Sequence, residues 1–455
     1  MRADPFTLED ASRVLEHPDT PVAYVDWLEI FPLLGAEDST HLANVLDWNW
    51  PRARSPLGAS RAVFAKALPG IRDDRLDELM ESLARTPVAD FIDHHVPFLR
   101  NLSGLVPTHA VDEVVGGWLD IYMRPTPASL APPTDQKLFR ASPDSVILEI
   151  TKSCNFACGM CSSRTGGFLP ERTMPLPVFG ELVRILGPGA SSLRVNGYGE
   201  STLVPDLARY LDCLDEFGYR GTREIITNLS AREAVYLDLF ARGFVLLVSW
   251  DATSAELMES IRTGAHYPEM LERLRALGRA ARVQPERLGL LFTVQQANLD
   301  EIVPVVRLAG EVGAGLLIFN MVKEPDGSPW METRFDEILA RFGEADAEAR
   351  RLGVKVRIPD HVGRARLPIR HAKRSSGTFC DRPWRELLVR WDTELNVCNM
   401  FNPYSYGMLR PHGPEQDLAA RFRKLWTGPN ATLFRRLVNS DAPHPYCREC
   451  YFLYP

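Results

Sequence analysis

Between residues 146 and 330 six short apolar runs, VILEIT, SLRVNG, REIITN, FVLLVS, LGLLFTV and GLLIFNM, alternate with longer amphipathic stretches such as PLPVFGELVRIL, PDLARYLDCLDEF and PEMLERLRALGRAA. Repeated strand-helix units predict a parallel sheet, because parallel neighbours need a crossover, and strands that are apolar throughout are covered on both faces. Crossovers of one hand wind such a sheet towards an open or partial barrel, so the expected class is α/β with a partial (β/α)6 barrel. The polar residues that break the alternation follow the runs: a cysteine loop after the first, GYGE after the second, Thr227 and Asn228 at the third, Ser249 and Asp251 at the fourth. Parallel folds gather their chemistry on that edge.

The flanks read differently. Residues 1–123 carry apolar positions at helical spacing in SRAVFAKALPGI, DDRLDELMESLARTPVADFI and HAVDEVVGGWLDIYM, which predicts a helical N-terminal domain. A linker follows at 124–145, where five prolines oppose any regular element. The barrel occupies 146–330, a connecting helix, the strand VKVRIP and a basic loop fill 331–378, and a small domain with four cysteines spans 379–455. The chain is 45% hydrophobic and 24% charged, the balance of a globular protein. It has neither a signal-peptide-like apolar run at its start nor a window of about 18 apolar residues, so a cytoplasmic protein without a membrane partner is expected. A net charge of -7 with dispersed basic residues offers no stripe for nucleic acid and suits a cationic substrate.

Seven of the eight cysteines fall in short-spaced clusters, which in a cytosolic chain read as metal sites before disulfides. Cys154, Cys158 and Cys161 form C-x3-C-x2-C directly after the first strand. Three thiolates on one loop can hold three corners of a cubane and leave the fourth iron to a non-protein ligand, whereas zinc sites answer a cysteine pair with another pair or with histidines. Cys380, Cys398, Cys447 and Cys450 could by spacing hold either zinc or an iron-sulfur cluster. Cys213, inside an amphipathic helix, reads as a small core residue.

The segment ITKSCNFACGMCSSR resembles the signature loop of the radical S-adenosylmethionine (SAM) superfamily, and the likeness continues through NGYGES and VSWDATSAELMESIRTG. It implies that Cys154, Cys158 and Cys161 bind a 4Fe-4S cluster whose open iron chelates SAM, and that SAM is cleaved to a 5'-deoxyadenosyl radical which takes a hydrogen from the substrate. By the same resemblance Gly197 and Gly199 let the backbone approach SAM, Glu200 receives its ammonium, Ser249 lies near its ribose and Arg262 near its carboxylate. Ser201 stands where the family often has proline, and Met160 where it often has an aromatic residue. Thr227, Asn228, Val294, Gln295 and Asn320 point towards SAM by strand position. Residues 379–455 resemble the twitch form of the SPASM extension, which implies a second, auxiliary 4Fe-4S cluster on Cys380, Cys398, Cys447 and Cys450. An electron donor such as flavodoxin or ferredoxin is implied as well.

Relatives with this extension modify aminoglycoside intermediates or ribosomally made peptides. The helical reading of 1–123 lacks the strand triplet of a leader-peptide-binding winged helix, which favours a small molecule. The four-cysteine extension is similar to that of aminoglycoside alcohol dehydrogenases, while the long helical N-terminus fits the aminoglycoside diol dehydratases of the apramycin type. That resemblance implies removal of a ring hydroxyl of paromamine as water, with the keto product passed to an NADPH-dependent reductase. Dehydration needs an acid and a base within reach. Glu149, set in an otherwise apolar strand, Asp251, and the Glu324 and Asp326 pair after the sixth strand are the candidates, because a carboxylate in such surroundings is costly unless paired or functional. His94, His95, Trp27, Trp48, Trp50 and Trp118 read as packing residues. Dehydrogenation and peptide modification remain open alternatives.

Overall fold

The computed structural model describes residues 65, 68–87, 90–102, 110–122, 142–161, 167–322, 330–359, 380–398, 404–409, 417–440 and 447. Most of the linker, Trp27, Trp48, Trp50, Glu324, Asp326 and Cys450 lie outside them. The chain divides into two compact units, one of Met1–Ser142, Cys380–Leu387 and Thr393–Arg448, the other of Pro143–Phe379, Leu388–Asp392 and Glu449–Pro455.

The second unit is the expected α/β fold. Its strands are β1 (Ser145–Leu148), β2 (Ser192–Arg194), β3 (Thr222–Thr227), β4 (Phe244–Ser249), β5 (Leu288–Val294), β6 (Leu316–Met321) and β7 (Lys355–Arg357). Each lies parallel to the next in the order of the chain. The sheet therefore has a seventh parallel strand beyond the six read from sequence: VKVRIP, assigned above to a connecting segment, pairs with β6, Leu317 standing opposite Val356.

The helices between strands follow the amphipathic stretches. Ile302–Val312 buries Ile302, Val305, Val306, Ala309 and Val312, one stripe at spacings of three and four, and ends at Gly313, whose φ of 77° lets its N–H turn back to the Ala309 carbonyl. Its backbone packs tightly on Tyr267–Ala280, since a Cβ on Gly278 would lie 1.6 Å from the Val312 carbonyl oxygen. The sheet faces are set by register. Ser249 pairs with Leu291, and Leu291 and Thr293 pair with Ile318 and Asn320, so these share one face. Thr227 pairs with Val248 and, like Phe292 and Val294, belongs to the other.

The first unit joins the N-terminal helices to most of the C-terminal segment, which the sequence reading had kept as separate domains. Asp73–Arg85, Val96–Leu102 and Val111–Tyr122 are helical, a π turn at Phe91–His95 precedes the second, and β9 (Glu394–Asn396) and β10 (Ser405–Met408) pair antiparallel; the strand before them, β8 (Glu386–Val389), is shared by both units. The joining interactions are specific. Asn101 donates to the Ser405 carbonyl at 2.9 Å and accepts from its N–H at 3.0 Å, and the buried Asp93 carboxylate is paired with Arg421 and Lys424. Trp118 is buried, stacks on Phe98 with centroids 4.2 Å apart, and meets His95 edge-on. His94 and His95 are buried too, and burial depresses their pKa values to about 4 and about 3, so both are neutral core residues. Cys213 packs against Gly180 of a neighbouring helix in the second unit. Among the described residues no helix is long and apolar enough to cross a membrane.

Candidate active site

Parallel strands bring their C-terminal ends to one edge, and there the loop after β1 meets the loop after β2. Glu200 donates its N–H to the Ser153 carbonyl at 2.8 Å. Gly199 lies flat against the same strand: a Cβ there would stand 2.2 Å from the Thr151 carbonyl oxygen and 2.6 Å from that of Ser153. Gly197 is equally constrained, since its Cβ would fall 2.5 Å from Glu149 Oε1. Gly199 is thus required where two backbones touch and Gly197 where the Glu149 side chain crosses, and the contact fixes the GYGE loop beside the residue that precedes Cys154.

The cysteine loop is held from its other side by the segment after Ala255–Ile261. Ala157 donates to the Thr263 carbonyl at 2.9 Å and Gly159 to that of Ile261 at 3.3 Å. Cys158 is buried, Cys154 and Cys161 are partly so, and none of the three is in a disulfide. Burial pushes the Cys154 thiol up to about 11, with the charges of Glu200, Cys158 and Cys161 adding to the shift. Cys158 is raised for the same first reason, against the pull of Arg262. Cys154 and Cys158, whose ionisation is disfavoured by burial and by neighbouring thiolate charge, suit a bound cationic centre, which removes that penalty. Among the described residues no three His, Cys, Asp or Glu side chains gather closely enough to hold a single metal ion. A cubane attaches each thiolate to a different iron and does not need that closeness. The loop therefore fits a 4Fe-4S cluster.

Glu200 is the best-anchored carboxylate at this edge. Oε1 accepts from Thr202 Oγ1 at 2.6 Å and Thr227 Oγ1 at 3.0 Å, and Oε2 from the Asn228 N–H at 2.6 Å. Burial raises its pKa, opposed by these donors. Oε2 keeps capacity for one more donor, such as an ammonium. Thr227 faces the helix layer, near Tyr236, so it serves Glu200 and not a ligand directly. Asn228 donates to Asn155 Oδ1 at 3.0 Å and lies 3.8 Å from the Cys154 sulfur, which makes it a brace of the cysteine loop. At this strand end Leu229 has a φ of 62°, a strained value for a non-glycine residue.

Ser249, Thr293 and Asn320 share the open face, and Gln295 follows β5 with its Nε2 buried and lacking an acceptor among the described residues. Val294 does not join them: it is fully buried on the opposite face and its carbonyl accepts from Val322, because strand periodicity turns it away from Thr293. Asp251 is fully buried and paired with Arg262 at 2.7 Å.

Glu149 is fully buried as well, and both its oxygens are taken by backbone. Oε1 accepts from the Tyr198 N–H at 2.6 Å and Oε2 from the Trp391 N–H at 3.2 Å, with Arg390 Nε at 3.9 Å. It ties the GYGE loop to Leu388–Asp392 instead of facing a substrate, and Arg390 covers the Tyr198 ring at 5.8 Å. Burial raises the Glu149 pKa to about 7, with Arg390 and the two N–H donors opposing. The folded state thus binds this proton more tightly than the unfolded chain, and stability falls as pH rises from about 4.5 to about 7. Glu149→Gln is expected to remove about 3 kcal/mol of that fall, read as a smaller difference between urea unfolding free energies at pH 5 and pH 8.

In the first unit Cys380, Cys398 and Cys447 all act electrostatically on the buried Tyr406, and Cys398 and Cys380 on Arg382 as well. The Cys380 backbone is clasped by Asn439, which accepts its N–H at 2.9 Å and donates to its carbonyl at 3.1 Å. Sequence reasoning missed Asn439, Arg382 and Tyr406, which carry no spacing signal.

No family model matches the chain, and no curated protein sequence does. Among solved structures the chain is similar to Streptococcus suis SuiB bound to S-adenosylmethionine, at 13% identity over 67% of this chain and 75% of that one, with a TM-score of 0.46. It is similar to anSMEcpe with bound AdoMet at 18% identity, over 58% and 74%, TM-score 0.46. BtrN in complex with AdoMet and 2-DOIA matches at 14% identity over 65% and 86%, TM-score 0.33.

Proposed function

We propose that this chain is a radical SAM enzyme whose reactive centre is assembled by the loops after β1 and β2. The observation that carries the reading is the contact of Gly199 and Glu200 with the strand end leading into Cys154. It sets a cysteine loop suited to a cubane beside a carboxylate with a free lone pair. When bound, the cluster and SAM supply an electron and a 5'-deoxyadenosyl radical able to take a hydrogen from an unactivated carbon.

The protein's part is position and electrostatics. Cys154, Cys158 and Cys161 hold three irons. Glu200, fixed by Thr202, Thr227 and Asn228, receives the SAM ammonium, and Arg262 its carboxylate. Gly197 and Gly199 admit the ligand to the backbone, while Ser249, Gln295 and Asn320 line the remaining edge. Cys380, Cys398, Cys447 and Cys450 would hold an auxiliary 4Fe-4S cluster, which would supply electron-transfer capacity alongside a flavodoxin- or ferredoxin-like donor.

The substrate in this reading is an aminoglycoside intermediate, paromamine, and the reaction is dehydration of a vicinal diol, its keto product then reduced by an NADPH-dependent partner. The helical reading of the N-terminal segment and the four-cysteine extension support it. Glu149 and Asp251 are occupied by backbone donors and by Arg262, which leaves Glu324 and Asp326, after β6, as the acid and base. Anaerobic reconstitution followed by SAM, dithionite and paromamine tests the whole reading by mass spectrometry. The expected result is 5'-deoxyadenosine with a sugar product lighter by one water. Loss of two hydrogens would instead make the enzyme a dehydrogenase; an untouched sugar with 5'-deoxyadenosine formed would remove paromamine and bring peptide substrates forward.

A further inference from the structure

Arg262 sits directly after Ile261, whose carbonyl accepts from Gly159 of the cysteine loop, so its backbone is tied to that loop. Its guanidinium is buried among two kinds of negative charge. Nη2 lies 2.7 Å from Asp251 Oδ2, a close ion pair and not an aligned hydrogen bond. The thiols of Cys158 and Cys161 also attract it when ionised.

Asp251 is itself immobile. Its Oδ1 accepts the Thr293 N–H at 2.7 Å, and its backbone carbonyl accepts from Asn298 Nδ2 at 3.0 Å, an amide that also reaches the Thr293 carbonyl at 3.0 Å. The pair is thus anchored on β5 and the turn that follows it. One donor of the guanidinium is left over: Nε of Arg262 is buried and has no acceptor among the described residues. A buried charged donor without a partner is costly, and it marks a place prepared for an anion.

We propose that Asp251 is a positioning residue that restrains Arg262 from collapsing onto the cluster thiolates, so that the Nε–H stays directed at the carboxylate of bound SAM. Without the counter-ion, the nearest negative charges available to the guanidinium are Cys158 and Cys161, and the carboxylate site is lost while the cysteines remain. Asp251 then contributes to ligand affinity and takes no part in proton transfer. The inference rests on the radical SAM reading, and the experiment separates the two.

Asp251→Asn keeps the acceptor for Thr293 and removes the charge. In the reconstituted full-length protein, iron content is measured with the dissociation constants of SAM and of decarboxylated SAM, by equilibrium dialysis with the cluster oxidised. The expected result is unchanged iron, SAM binding weakened about tenfold or more, and binding of the decarboxylated ligand unchanged. Equal weakening of both ligands, or SAM binding as in the unsubstituted protein, overturns the inference. Should Asp251→Asn fold poorly by circular dichroism, Arg262→Gln carries the same test, since it must show the same selective loss. An unsubstituted protein that assembles no cluster and binds no SAM overturns the underlying reading and the inference with it.

Discussion

Cys154→Ala is expected to leave a folded protein that holds about four of roughly eight irons per chain and forms no 5'-deoxyadenosine above the apo-protein background. The loss is large because a cubane held by two cysteines has neither the charge balance nor the fixed orientation that three provide. Folding survives because Cys154 belongs to the loop and not to the core: it is partly exposed, and the loop backbone is held independently by Ala157, Gly159 and Ser153. Iron and sulfide analysis, visible absorbance near the thiolate-to-iron charge-transfer band, and nucleoside chromatography measure the three parts of this expectation. Unchanged SAM cleavage would exclude the loop as the cluster site. The remaining irons report on the C-terminal cysteines: if Cys154→Ala retains none, residues 379–455 hold no iron-sulfur cluster.

The sheet was legible because β1, β4, β5 and β6 are runs that are largely apolar on both faces and alternate with amphipathic stretches, a pattern that suits a covered parallel sheet. The strand β7 was harder. Its three residues, Lys355–Arg357, are largely polar and partly exposed, so nothing but its pairing with β6 marks it as part of the sheet. The site was legible as far as motifs reached. Cysteine spacing and GYGE found the two loops, and the lone charge in VILEIT flagged Glu149. Its partners were not readable, since Tyr198 and Trp391 approach from 49 and 242 residues away through backbone N–H groups that no side-chain pattern encodes. The same holds for the ion pair of Asp251 and Arg262. Both residues were noticed singly, and neither sequence position says that one answers the other. For Val294, strand position alone does not give the face, and alternation turns its side chain away from Thr293. The joining of the N-terminal helices with the C-terminal segment depends on pairs such as Asn101 with Ser405, separated by 304 residues, and lies beyond local reading.

Gly199→Ala is expected to lower SAM cleavage by about a hundredfold or more while the chain still folds. The added carbon would overlap two carbonyl oxygens, of Thr151 and Ser153, and the carbon of the Lys152 peptide at 2.7 Å. Those are backbone atoms, so no rotamer change relieves the clash and one of the two loops must move. Thr151 is held by its hydroxyl to the Arg172 carbonyl at 2.9 Å, and Ser153 by Leu169, whose N–H its hydroxyl accepts at 2.9 Å. The cysteine side is therefore fixed, and the displacement falls on the GYGE loop. That breaks the 2.8 Å bond from Glu200 to Ser153 and shifts the carboxylate that in our reading receives the SAM ammonium. A shift of about 1 Å in a positioning group is enough for a loss of that size. Stability should fall by only about 1–3 kcal/mol, the cost of local overpacking. The control is Gly343→Ala: there a Cβ meets nothing within 4 Å and the residue lies inside the helix Phe335–Leu352, so activity should be unchanged and stability slightly raised. The decisive comparison is SAM affinity against iron content in Gly199→Ala. Retained iron with lost SAM binding means that the second loop receives the ligand, whereas loss of both means that it serves only to brace the cysteines.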